Sequence, residues 1–143
     1  MSGRVHGTDP CNQDARNNLG GIRQVVRAWV EAFNRAEVDG LAALYAEDAI
    51  NHQVVTEPAV GRAAIRAMFA REFARATMVC IVENLFEDGA WAVLEWRDPR
   101  GLRGCGFFNV VDGRIRFQRG YWDQLSFQRQ QSRMIAEERA QEP

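Results

Sequence analysis

Lysine is missing from this chain: all 18 of its basic residues are arginine. No side chain is therefore available to form a Schiff base, hold pyridoxal phosphate or anchor a Walker-type phosphate loop. Cysteine and histidine are scarce. Cys11, Cys80 and Cys105 are odd in number and lack CxxC spacing, while His6 and His52 are the only imidazoles, so neither a disulfide framework nor a zinc site is expected. No HxxxH or facial-triad spacing occurs, and no metal or other cofactor is expected. An excess of one charge is also lacking. The net charge is -1, the pI is near 6.1 and the arginines are scattered, which removes the electrostatic footprint of a nucleic-acid binder. No run approaches the roughly 18 apolar residues of a membrane span, and the polar start has no signal-peptide core. The expectation is a cytoplasmic protein with neither membrane nor nucleic acid as a partner.

What is present suffices for one core. A chain of 143 residues, 46% hydrophobic, can bury roughly two-thirds of its unfolded surface. Residues 1–21 carry Gly, Asn, Asp and Pro with little apolar content and are expected to form a flexible arm, which discounts His6 and Cys11. From Ile22 the positions Ile22, Val25, Val26, Trp29, Val30 and Phe33 follow helical spacing. Asp39 can cap a short second helix carrying Leu41, Leu44 and Tyr45, and Ala49–Gln53 reads as a strand. A third amphipathic helix is expected over Arg62–Ala76, with Ile65, Met68, Phe69 and Phe73 turned inward.

After Thr77 the apolar period changes from helical to alternating. Met78–Phe86, Ala90–Arg97, Gly104–Val111 and Arg114–Trp122 read as strands, with Asp88-Gly89, Pro99–Gly101 and Asp112-Gly113 as the turns between them. Sequential hairpins make a meander, and the three preceding helices must cover one of its faces. The predicted architecture is α+β, with the domain over residues 22–127 and a polar helix or tail over 128–143. No internal repeat is visible.

Alternation along a strand places Trp91, Val93, Glu95 and Arg97 on one face. Without a bulge, Ile115, Phe117, Arg119, Tyr121 and Asp123 share a face on the last strand. Asp123 is thus a candidate base, kept ionised by a neighbouring Arg97 or made more basic by apolar walls. It has a second reading as the cap of the following helix, and Glu95 with Arg97 also reads as a solvated cross-strand ladder. His52 is either a functional imidazole or a hydrogen-bonded core residue. Cys80 and Cys105 read as small apolar packing groups.

The segments VVRAWVEAFN (Val25–Asn34), DGLAALYAEDA (Asp39–Ala49), VGRAAIRAMF (Val60–Phe69) and DGRIRFQRGYWD (Asp112–Asp123) together resemble the SnoaL-like branch of the nuclear transport factor 2-like superfamily. The resemblance implies a cone-shaped, curved antiparallel sheet with three N-terminal helices on its concave face. It also implies homodimers in many members and a pocket for a small hydrophobic, often polycyclic, molecule. It does not fix a reaction, because one fold hosts many activities.

In proteins similar to limonene epoxide hydrolase, an Arg bridges two Asp residues. Arg97 and Asp123 match two of the three; the second acid falls at Pro99, leaving Glu95 as a better stand-in than Asp98, and the water-holding Tyr and Asn fall at Asn51 and Gln53. Ketosteroid isomerase fits worse, with its general base at Gln53, its oxyanion-hole Tyr near Trp29 and no acid around Gly106. Polyketide cyclases of this branch place a late-strand acid at Asp123. The resulting expectation is a cofactor-independent acid–base enzyme in which Asp123 takes a proton and Arg97 steadies the oxyanion, with His52 and Tyr121 orienting the substrate. Its walls would be Trp29, Phe69, Phe73, Trp91, Val93, Phe108 and Phe117. The alternative is a ligand-binding or dimeric structural protein of the same fold.

Overall fold

The computed structural model describes residues 10–143, with side chains from residue 21 onward; the readings of His6, of the Cys11 side chain and of the arm before Pro10 lie outside them. Helix α1 (Pro10–Asn34) starts ahead of the first apolar repeat. From Ile22 its buried stripe is Ile22, Val26, Trp29 and Ala32, at helical spacing. Its last residue is tied to the sheet: Asn34 Nδ2 donates to the Cys80 carbonyl at 3.0 Å, and the Cys80 N–H donates back to Asn34 Oδ1 at 2.7 Å.

Helix α2 (Val38–Ala42) is shorter than its apolar spacing predicts, and Tyr45 opens strand β1 (Tyr45–Gln53) instead of closing a helix. The cause is capture of the backbone by the last strand. Arg114 Nη1 donates to the Ala43 carbonyl and the Ile115 N–H donates to the Leu44 carbonyl, both at 2.9 Å, so these acceptors cannot extend a helix. A short strand β2 (Ala59–Val60) pairs with β1, and Gly61, at φ +90°, turns the chain into helix α3 (Arg62–Arg75). That φ favours glycine over any side chain-bearing residue.

The meander follows as expected: β3 (Ile81–Asp88), β4 (Trp91–Arg97), β5 (Arg103–Val111) and β6 (Arg114–Trp122). Asp112 and Gly113 both have positive φ, 53° and 75°, the twist-matched geometry of a two-residue hairpin. The sheet order is β2-β1-β6-β5-β4-β3, and β1 lies parallel to β6. The domain is thus α+β, with a curved, unclosed sheet of six strands and helices α1 to α3 against its concave face. Helix α4 (Gln124–Gln141) closes the described chain and buries none of its residues. No helix among the described residues is long and apolar enough to cross a membrane.

Aromatic packing joins the layers. Trp29 stacks on Phe33 at 5.0 Å between centroids and meets Phe108 edge-on at 5.3 Å, while Phe69 and Phe73 stack at 5.9 Å. Phe108 is fully buried at the centre of β5. Its replacement by Ala should cost about 3–5 kcal/mol of stability, read as a lower denaturant midpoint at unchanged slope.

Candidate functional site

The inner face of the sheet is not the one simple alternation predicts. Between Ile115 and Phe117 the β5–β6 register slips by one residue, so that Val110 faces Ile115 and Asn109 faces Phe117. This bulge reverses the parity of everything beyond it. Ile115 points inward, but so then do Gln118, Gly120 and Trp122, while Phe117, Arg119 and Tyr121 turn outward. On β4 the inner set is Ala92, Leu94 and Trp96, because the small Ala92 and Leu94 are the residues sealed under α1. Trp91, Val93, Glu95 and Arg97 lie on the outer face.

The expected convergence of Asp123 and Arg97 therefore does not occur. Asp123 is exposed and caps α4: its Oδ1 accepts from the Leu125 N–H at 3.1 Å and its Oδ2 from the Ser126 hydroxyl at 2.6 Å. These bonds hold its carboxyl below the ordinary carboxylate pKa. Arg97 pairs with Glu83 at 3.4 Å, and Glu95 accepts from Asn84 at 2.8 Å, both in the outer cross-strand ladder. His52 is register partner to Arg119 on that same outer face. Trp91, Val93, Phe117 and Tyr121 belong there too. Trp91 meets Phe117 edge-on at 6.2 Å, and Phe107 meets Tyr121 at 5.9 Å.

A cavity of about 610 Å³ lies between the concave face and the helices. Trp29, Gln53, Phe69 and Phe108 line it, whereas Asn51 sits behind Gln53, and Phe73 supports Phe69 and Phe33 from outside the lining. Phe33, Trp96, Trp122 and, from α4, Phe127 and Met134 complete the apolar wall. Asp98 also lines it, but its carboxylate is committed. It accepts from the backbone N–H groups of Arg100 and Leu102 and from Gln130 Nε2, each at 2.9 Å.

Beneath the cavity runs a chain of polar groups, of which the sequence pointed to Trp29, Asn51 and Gln53 but not to Tyr45, Gln118 or Trp122 as site residues. Trp122 Nε1 donates to Gln53 Oε1 at 3.1 Å, and Gln53 Nε2 donates to Asn51 Oδ1 at 2.8 Å. Asn51 Nδ2 then donates to Gln118 Oε1 at 3.2 Å and to the Tyr45 hydroxyl at 3.4 Å. From the other side Trp29 Nε1 donates to the Tyr45 hydroxyl at 2.8 Å, and that hydroxyl donates to Gln118 Oε1. An indole N–H can only donate, so the two tryptophans fix the sense of every amide between them. All donation ends on Gln118 Oε1. The Gln118 NH₂ is left without a partner among the described residues, on a side chain only 4% exposed that lines the cavity. Gly120 makes room for this chain, since a Cβ there would collide with the Gln53 amide.

Glu72 is a further missed residue. It lies on α3 between two helical turns of the inward stripe, four residues after Met68 and three after Phe69, and that interruption of an apolar stripe is the signal that marks it. The half-buried carboxyl lines the cavity and makes no ion pair or hydrogen bond among the described residues. Burial raises its pKa above the ordinary value against the pull of Arg71 and Arg75. Its charge also reaches Tyr45, whose hydroxyl burial has already pushed far above the range of a free phenol. Cys80 at the wall is a thiol pushed up to about 12 by burial, so it is not a nucleophile at neutral pH.

Because folding raises the Glu72 pKa, ionising that group costs stability. The cost is absent below the unfolded-state pKa and complete above the folded-state one. Glu72→Gln should therefore raise the melting temperature at pH 7, with the gain shrinking as the pH falls through the carboxylate range. Paired thermal melts at both pH values would measure it.

The profile of the family described as SnoaL-like domain matches residues 26–118. No curated protein matches the chain. Among solved structures, an epoxide hydrolase from M. tuberculosis, described as LEH-like, is 26% identical at a TM-score of 0.65, covering 73% of this chain and 84% of that one. SalBIII, an epoxide hydrolase/cyclase-like enzyme of pyran ring formation in the polyether salinomycin, is 19% identical at 0.65, covering 73% and 92%. An NTF2-like protein of unknown function from Cytophaga hutchinsonii is 15% identical at 0.65, covering 74% and 93%.

Proposed function

The chain belongs to the SnoaL-like domain family, and we propose that it uses the cavity of this fold to bind a compact, largely apolar molecule whose oxygen accepts a hydrogen bond from the Gln118 amide. One observation carries the reading: the polar chain under the cavity leaves the Gln118 NH₂ with neither N–H engaged among the described residues, its orientation set by donor-only tryptophans at both ends. The Gln118 NH₂ opens on the cavity, and a ligand oxygen that accepts from it gains about 0.5–1.5 kcal/mol, the net worth of a neutral hydrogen bond. The apolar wall supplies the remaining affinity. Two fold neighbours, by their descriptions, act on an epoxide or form a pyran ring, and each of those groups presents an ether oxygen of the required kind. An acid–base enzyme built on Asp123, Arg97, Glu95 and His52 is not supported, because these side chains lie away from the cavity.

The test uses 2-adamantanone and its parent hydrocarbon as probes, with binding followed by thermal shift and tryptophan fluorescence. The ketone should bind more tightly, and Gln118→Leu should weaken the ketone about 3- to 10-fold, the worth of one neutral hydrogen bond, while leaving the hydrocarbon unchanged. Equal effects on both probes, or none, would refute an oxygen site at Gln118.

The outer face supports a second part of the reading, association with another copy of this chain. Trp91 (40% exposed), Phe107 (36%), Tyr121 (42%) and Phe86 (60%) share that face, a larger aromatic patch than a solvated sheet normally keeps. Charges of both signs flank it, with Glu83 and Glu95 beside Arg97, Arg103 and Arg119, so the surface complements itself under a two-fold axis. Light scattering on a sizing column should give a dimer for the native chain and a monomer for Phe107→Glu; a native monomer at high micromolar concentration would rule the association out.

A further inference from the structure

Glu72 has no task in the oxygen site, yet it is a carboxylate set into an aromatic wall with no counter-charge bonded to it among the described residues. Every other charged group lining the cavity is engaged or largely exposed. Asp98 is saturated by three N–H donors, Arg100 pairs with Glu137 at 3.2 Å, and Arg75 stands out in solvent. Water screens Arg75, so it offsets Glu72 weakly, whereas a cation inside the cavity would meet that carboxylate at low effective dielectric. The surrounding surface is suited to such a guest. Trp29, Phe33, Phe69 and Phe108 present aromatic rings to the same space, and ring faces attract ammonium groups most strongly once water is excluded.

We propose that the cavity selects ligands joining an apolar cyclic body to a protonated amine, with the ammonium lying against the Glu72 carboxylate and the aromatic wall. The proposal deepens the binding reading above and rests on it for the location of the site. A ligand carrying both an amine and an oxygen would engage Glu72 and Gln118 at once, which sets its chemical class as a compact cyclic amino ketone, amino ether or amino alcohol.

The pH dependence follows from Glu72. The titratable and charged groups that share its surroundings are Arg71 and Arg75 on its own helix, Tyr45 from β1, Cys80 at the start of the meander, and Asp98 and Arg100 at the β4–β5 turn. Tyr45 and Cys80 stay neutral up to strongly alkaline pH. Protonation of Glu72 on acidification is then the event that weakens amine binding, and the loss begins as the pH falls through the raised pKa of the ligand-free carboxyl.

The experiment compares 1-adamantylamine with 2-adamantanone on the full chain by calorimetry. Native protein should bind the amine at pH 7 and lose it on acidification. Glu72→Gln should weaken the amine at least 10-fold and abolish that pH dependence while changing the ketone less than 2-fold, and Glu72→Asp should restore part of the amine affinity. Amine affinity that is unchanged in Glu72→Gln, or equally weak in the native chain, overturns the proposal while a bound ketone still upholds the oxygen site. Amine binding that depends on Glu72 upholds the proposal even if the ketone fails and the Gln118 reading falls. The melting temperature of each variant confirms that it is folded.

Discussion

The direction of hydrogen bonding beneath the cavity is fixed by two groups that cannot reverse it. Amides and hydroxyls can exchange donor and acceptor roles, so a buried network made only of them has several arrangements of similar energy. Here Trp29 enters from α1 and Trp122 from the end of β6, and each offers only an N–H. Gln53 must turn its oxygen to Trp122, Asn51 must turn its oxygen to Gln53, and Gln118 must turn its oxygen to both Asn51 and Tyr45. The residual donor at the cavity follows from the indoles' chemistry and not from any feature of Gln118 alone. The same network ties helix α1 to strands β1 and β6, so the packing of the fold and the polarity of the site are set by one set of bonds.

This dependence explains which parts of the site were legible in the sequence. Helical spacing placed Trp29 and Phe69 correctly on inward stripes, and Asp-Gly pairs located the hairpins of the meander, because both signals are local. The fold class was legible for the same reason. The face of β6 was not, since one extra residue at the bulge reverses every side chain beyond it and no residue near Arg116 announces that insertion. The inner face of β4 was ambiguous on composition, for Trp91 and Val93 are as apolar as Ala92 and Leu94. What decides is the close approach of α1, which needs a small residue at position 92. Tyr45 was hidden by a different effect, the capture of the Ala43 and Leu44 carbonyls by β6, a contact between residues far apart in the chain.

The charged residues show the same contrast. Asp123 carries the mark of a catalytic acid in its position after two aromatics, yet the helix that follows offers a free N–H two residues on and a hydroxyl three residues on, and the carboxylate accepts from both. The ladder of Arg97, Glu83 and Arg103 belongs to the outer face, where water weakens each pair. Glu72 was readable in principle. A charged residue that interrupts an apolar helical stripe is exposed by a local distortion, paired, or facing a cavity, and spacing alone does not choose among these.

Amides at the base of a cavity set a different field from charged groups placed there. Carboxylates and a guanidinium in contact compensate one another and leave a nearby charge in a strong, mixed field. Neutral amides contribute only dipoles, and here the dipoles are ordered so that their positive end, the Gln118 NH₂, meets the cavity. The Glu72 carboxyl on the opposing helix has a raised pKa because burial outweighs the opposing pull of Arg71 and Arg75 on its own helix. The cavity thus has a donor on its sheet side and an acidic group on its helix side that makes no ion pair among the described residues, separated by aromatic surface. That polarity is a property of the whole arrangement, with its donor end toward β6 and its acidic end toward α3.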